Sequence, residues 1–266
     1  AASVTDTNGQ YVNNSNPGLW MVDVDGAVSL SGSTVTGNDA DGVLLSDIGG
    51  AITVTNVTAE DNTLAGLALY GPGTMTVGGS TSLAGNGMGV HTSGAGASVS
   101  ITDPLVAIAD NGVGIDADNA SSVTADGLEM TGNGIGVRVD HGATANISDT
   151  EIDVDSGRKG AQVLGSGITL SGVTISATTP GSGTGVDVDG GSAIITGSTI
   201  QDLAVGIDAS GGATSISNAN TIADNVTGIA VSGDAVASLH NSTISGGATG
   251  IAATGGSMGV TSSTIT

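Results

Sequence analysis

Apolar residues along this chain alternate with polar ones at an interval of two, and the alternation restarts after each of a series of glycines. The glycines are Gly18, Gly42, Gly66, Gly89, Gly114, Gly136, Gly160, Gly185, Gly206, Gly228 and Gly250, spaced 21 to 25 residues apart. One residue beyond each stands Leu19, Val43, Leu67, Val90, Ile115, Val137, Ala161, Val186, Ile207, Ile229 or Ile251. An interval of two puts these side chains and those two further on along one face of a strand. A second strand follows a Gly-rich corner and turns pairs such as Ile52/Val54, Met75/Val77, Val99/Ile101, Ile168/Leu170 and Ala237/Leu239 inward. A shorter third strand carries Val35, Ile108, Met130, Ile200, Ile222, Ile244 and Ile265. A helix is excluded, because the apolar interval is not 3.6 and Gly, Ser, Thr and Val are poor helix formers.

A fixed period with three strands and three turns is the signature of a solenoid, in which each repeat is one coil covering its neighbours. The pattern predicts an all-β fold, a single right-handed parallel β-helix of about eleven coils spanning residues 1–266 as one domain. No composition shift divides it. Asn38, Asn62, Asn86, Asn111, Asn133, Asp202 and Asn225 fall just before the glycines. Such residues tolerate left-handed backbone and predict a side-chain ladder at a tight turn. Asn13, Asn56, Asn119, Asn146, Asn225 and Asn241 also open Asn-x-Ser/Thr triplets, which a chain rich in Ser and Thr produces by chance.

Composition sharpens this picture. With 47 Gly, no Cys, no Phe, one Trp and two Tyr, the interior must be built from thin layers of Val, Ile, Leu and Ala. Trp20 reads as an end-cap or core residue. Asp and Glu total 25 against three Lys and Arg, a formal charge of −22. That excludes nucleic acid and anionic membranes as partners, since both require Lys and Arg to neutralise phosphate. No apolar run reaches the roughly 18 residues of a membrane span. Ala1-Ala2-Ser3-Val4 lacks the basic and apolar regions of a signal peptide. The chain therefore reads as a fragment of a longer extracellular protein, meeting a membrane only through regions outside this sequence.

The phrases Gly134-Ile-Gly-Val-Arg-Val-Asp-His-Gly-Ala143 and Thr227-Gly-Ile-Ala-Val-Ser-Gly-Asp234 carry a resemblance. Gly-apolar-x-apolar followed by a Gly turn and a Ser/Thr-Ile strand, repeated over nearly the whole chain, resembles the pertactin-like passenger domains of bacterial autotransporters. Pectate-lyase-like enzymes and phage tailspikes share the architecture. The resemblance implies an extracellular or bacterial cell-surface rod for display, adhesion or self-association, with a host surface, a neighbouring cell or another copy as partner.

Candidate chemistry lies in two outward columns of the first strand. One runs His91, Asp116, Arg138, Gln162, Asp187, Asp208; the other runs Ser93, Asp118, Asp140, Leu164, Asp189, Ser210. Asp116 and Arg138 are placed to pair, whereas Asp118 faces Asp140 and Asp187 faces Asp208. Close carboxylates share a proton, take up a cation or splay into water. Asp187, Asp189 and Asp208 are accordingly the candidate metal ligands, with Ca²⁺ the only cofactor the residue types suggest. Catalytic residues are not assigned. A carbohydrate-active enzyme using the Asp columns is the first alternative to a non-enzymatic stalk or adhesin. An acidic-polysaccharide enzyme would need a free base, and only Arg138, Arg158 and Lys159 are available. A repetitive ligand-binding face for Ca²⁺ or ice is the second alternative. Its basis is the Asp columns for Ca²⁺ and, for ice, a Ser/Thr stripe on the second strand: Thr53/Thr55, Thr76, Ser100/Thr102, Thr124, Ser148, Thr169/Ser171, Thr196, Ser217 and Ser238. Asp140-His141 is an isolated dipeptide in a Gly turn.

Overall fold

The computed structural model describes residues 2–266. Among the described residues, 33 strands follow one another in a repeating order of first, second and third face, giving about eleven coils. Every pairing is parallel and joins one coil to the next. The first and second faces form a continuous 21-stranded sheet bent at a corner, and the third is a separate 12-stranded sheet. Two strands, Lys159–Ser171 and Ser182–Thr196, run through that corner without interruption.

The predicted inward residues form the core, except in the end coils, where Leu19 and Ile251 are half-buried and Ile265 is exposed. Val43, Leu67, Val90, Ile115, Val137, Val186, Ile207 and Ile229 are all within 1 % of complete burial, as are Val54, Met75, Ile101, Leu170, Val35, Ile108, Met130, Ile200 and Ile222. Stacking identical positions at about 4.8 Å lets each aliphatic side chain lie on its counterparts above and below. The recurrent glycine is explained by close approach. A Cβ on Gly114 would stand 2.6 Å from the carbonyl oxygen of Gly136 in the next coil, and one on Gly228 would stand 2.6 Å from that of Gly250.

The asparagine ladder is present from Asn14 through Asn38, Asn62, Asn86 and Asn111 to Asn133. Each residue from Asn38 to Asn111 donates its backbone N–H and its side-chain amide to the Oδ1 of the next. The side-chain amide also reaches a carbonyl in the coil before, as Asn62 Nδ2 does with Val35 O at 3.0 Å. Two polar groups at each buried turn are thereby satisfied without water. Asp202 does not belong to this ladder. It holds a left-handed turn position (φ 63°), and the ladder place is taken by Leu203, whose N–H donates to Asn225 Oδ1. Asn225 is itself 1 % exposed, so the asparagine of its Asn-x-Thr triplet is buried in the turn.

Trp20 is neither cap nor core. It pairs with Leu44 in an outward column and is 66 % exposed.

Candidate polar site on the first face

Three columns of outward side chains cross the first face, and between the third and sixth coils they close on one another. The floor runs Ala68, His91, Asp116, Arg138 in consecutive register. On one side lie Ala65, Met88, Val113 and Ile135, an apolar wall, and on the other lie Tyr70, Ser93, Asp118 and Asp140. His91 is 8 % exposed and Asp116 only 2 %, although both point away from the core. The surrounding walls provide the burial.

A buried carboxylate needs compensating partners, because the charged form is otherwise driven out of a low-dielectric site. Asp116 has them on both sides. His91 Nδ1 lies 2.8 Å from its Oδ2. Arg138 donates from Nε to Oδ1 at 2.7 Å and from Nη2 to Oδ2 at 2.9 Å. Burial alone would raise the Asp116 pKa, but the hydrogen bonds and charges of His91 and Arg138 outweigh it and hold the group below its usual range. The ionised Asp116 accepts a hydrogen bond from His91 Nδ1–H, so in the neutral ring Nε2 is the acceptor. Nε2 has no hydrogen-bond partner among the described residues, and the only buried side-chain atoms wholly without one are the Thr92 and Thr214 hydroxyls.

The Tyr70 ring packs against His91, with centroids 5.2 Å apart and planes tilted by 58°. Its phenol is pushed up to about 12 by burial and then by the carboxylates of Asp41, Asp116 and Asp118. Asp41, 3 % exposed, accepts the Ala65 N–H at 2.9 Å. Burial raises its pKa in spite of that bond and of His91 nearby.

The expected repulsion of Asp118 and Asp140 is relieved by a neighbour. His141, at φ 47° in the following corner, turns its Nδ1 to within 2.8 Å of Asp118 Oδ1 and 3.2 Å of Asp140 Oδ2. Asp140-His141 is therefore part of this cluster rather than an isolated dipeptide. Asn119 completes it, donating to Asp118 Oδ2 at 2.9 Å and to Ser93 Oγ at 3.0 Å.

The second acidic group is arranged differently from a metal cage. Asp187 faces Asp208 as expected, but Asp189 lies in the adjacent column beside Leu164. Lys159 Nζ sits 2.5 Å from Asp187 Oδ2, and Gln162 Nε2 is at 3.2 Å from the same oxygen. The Asp208 pKa is raised by burial and by Asp187, with Lys159 acting against both. Among the described residues no group of three His, Cys, Asp or Glu is set to hold a metal ion. Lys159 thus pairs with one of the three carboxylates that the sequence reading offered to Ca²⁺.

On the second face the Ser/Thr stripe resolves into columns, one of which runs Ser29, Thr53, Thr76, Ser100, Thr124, Asn146, Thr169, Ile194, Ser215, Ser238. The sequence reading missed a purer column on the third face, where Thr174, Thr199, Thr221, Thr243 and Thr264 stand in direct register. Its signal was the dipeptide Thr-Ile recurring one residue ahead of the inward column.

Residues 111–265 match the family model described as right handed beta helix region. The chain belongs to that family. No curated protein and no solved structure matches it. Membership fixes the hand of the stack and, with three faces and about eleven coils, fits a pertactin-like parallel β-helix.

Proposed function

We propose that the chain is a non-enzymatic stalk or adhesin segment of an extracellular or bacterial cell-surface protein, like an autotransporter passenger, acting in adhesion, display or self-association. The observation that carries this reading is unbroken register. Each outward position recurs coil after coil, so single side chains become columns that a surface or a second copy meets as a repeat. Charge distribution supports it as well. Arg138 is spent on Asp116, Lys159 on Asp187, and Arg158 on the Gly132 carbonyl with Asp155 at 3.9 Å. An anionic polysaccharide would have to displace these internal partners.

The test is display of residues 1–266 on a non-adherent bacterium, scored for attachment to host cells and for clumping. Attachment or clumping that is lost when the outward Ser/Thr columns are replaced is the expected result. A folded, displayed chain that confers neither property removes the reading.

One observation favours a second reading, a carbohydrate-active enzyme. Asp116 orients His91 so that Nε2 is left as an acceptor, which is the arrangement of a general base. Turnover of a polysaccharide that disappears in His91→Ala would establish this reading and overturn the first.

A further inference from the structure

Two inward columns of the core change character in a single layer. The column of the second face that runs Leu30, Val54, Val77, Ile101 and onward to Val260 is aliphatic at every rung, and the residue that heads it is Asp6. The column of the third face that runs Val35, Ala59, Leu83, Ile108 and onward to Ile265 is apolar at every rung, and it is headed by Tyr11. Strand alternation sets their direction, since Asp6 and Tyr11 are each half-buried between exposed neighbours.

The two polar groups are joined across the core. Tyr11 Oη donates to Asp6 Oδ1 at 3.0 Å, and Ser33 Oγ of the adjoining coil donates to Asp6 Oδ2. Ser33 in turn accepts the Gly9 N–H at 3.2 Å. The turn between the two strands passes so close that a Cβ on Gly9 would stand 2.5 Å from Tyr11 Cε2 and 2.6 Å from Asp6 Oδ1, so only glycine lets the brace close. Burial, and then the hydrogen bond to Asp6, raise the Tyr11 pKa and keep the phenol a donor.

The other end of the rod is chemically unlike this one. There the same two columns present Val260 and Ile265, 42 % and 46 % exposed, beside the half-buried Met258 and Ile251. An apolar layer with open strand edges is a template for a further coil. A layer that holds an inward carboxylate is not, because a coil laid on it would strip Asp6 of water.

We propose that the Asp6–Tyr11 brace is a stop that closes its end of the core to the apolar end of a second copy, so that copies meet by their sides and do not join end to end. Contact between two unlike ends is head-to-tail, does not close on itself and propagates into a fibre. The carboxylate blocks that contact, and its bonds to Tyr11 and Ser33 keep the layer ordered by tying the second face to the third. The inference goes beyond the display reading and holds whether or not the rod adheres to anything.

The test is sedimentation velocity over a range of concentrations, with negative-stain micrographs, on the whole chain and three variants. Wild type is expected to keep the length of a single rod. Asp6→Leu/Tyr11→Val, which carries both apolar columns through this layer, is expected to give rods of multiple length and a sedimentation coefficient that climbs with concentration. Tyr11→Phe retains the carboxylate and should stay single, with faster hydrogen exchange across Val4–Val12. Circular dichroism reports whether each variant keeps its stack. Should the double variant fail to fold, Asp6→Asn, which removes the charge and keeps an acceptor for Tyr11, takes its place under the same criterion. Wild-type rods already joined end to end overturn the proposal, as does a folded double variant that stays single. Tyr11→Phe rods that lengthen, or that exchange no faster than wild type, overturn it as well, the first by removing the carboxylate as the stop and the second by removing the brace.

Discussion

Arg138 grips both carboxylate oxygens of Asp116 from the coil above, and the carboxylate it grips is almost wholly buried on the outside of the sheet. Bidentate pairing matches the planar guanidinium to the carboxylate and leaves no oxygen of Asp116 unsatisfied once His91 is counted. Together with His91 the pair ties three consecutive coils together in the region where the floor of the first face is most enclosed.

Acid should therefore loosen this region. The folded pKa of Asp116 is depressed, so its contribution is present above the unfolded value of about 3.9 and is lost as pH falls through the folded value. Removing the charge with Asp116→Asn should destabilise the chain at pH 7. The difference between wild type and variant should shrink steadily below about pH 4. Chemical denaturation at a series of pH values measures it, and a difference independent of pH would contradict the pairing.

Asp41 should behave in the opposite sense. Its folded pKa is raised by burial, so folding favours the neutral acid, and the charge it carries at neutral pH opposes the fold. Asp41→Asn keeps an Oδ1 acceptor for the Ala65 N–H and removes that charge. A higher melting temperature is expected at pH 7, with the gain fading as pH drops through the folded Asp41 value. A variant less stable than wild type at pH 7 would mean that the carboxylate is needed as an ion.

Much of this fold was legible because the structure forbids alternatives at its repeated positions. A Cβ on Gly114 would strike the next coil's backbone, so glycine recurs and marks the period. Counting in twos from each glycine gave the inward columns, and the Asp116–Arg138 pair came from counting across coils. Burial of His91 and Asp116 was not legible, since it depends on Met88, Val113 and Tyr70 closing from columns to either side. The role of His141 was hidden by its left-handed backbone, which swings the ring back over Asp118. Asp202 was misplaced by one residue because an acidic side chain suits both the left-handed position it holds and the ladder position that Leu203 fills. Trp20 could have been read correctly: Leu19 points inward, so its neighbour points out.

The stack should not tolerate a charge in its interior. Ile207 is fully buried between Val186 and Ile229, where an aspartate would find neither water nor a partner. Ile207→Asp is expected to cost several kcal/mol and to unfold the adjoining coils together. Circular dichroism would show a lower, broader melt, and a wild-type melt would contradict the inward assignment of this column.

Two hydroxyls offer the reverse experiment. Thr92 Oγ1 and Thr214 Oγ1 are buried without a hydrogen-bond partner, each in a column whose neighbours are aliphatic: Leu69 and Ala117 beside Thr92, and Ala193 and Ala237 beside Thr214. A hydroxyl in such a place forfeits its hydration and gains nothing in exchange, at a cost of about 1–3 kcal/mol. Valine has nearly the same shape and needs no partner. Thr92→Val and Thr214→Val should each raise stability by about 1 kcal/mol, and because the sites lie several coils apart the double variant should show the sum. Denaturant midpoints for the four proteins measure both claims. Gains that fail to appear would mean that these hydroxyls are hydrogen-bonded within the core, and gains that fail to add would mean that the coils between them couple the two sites.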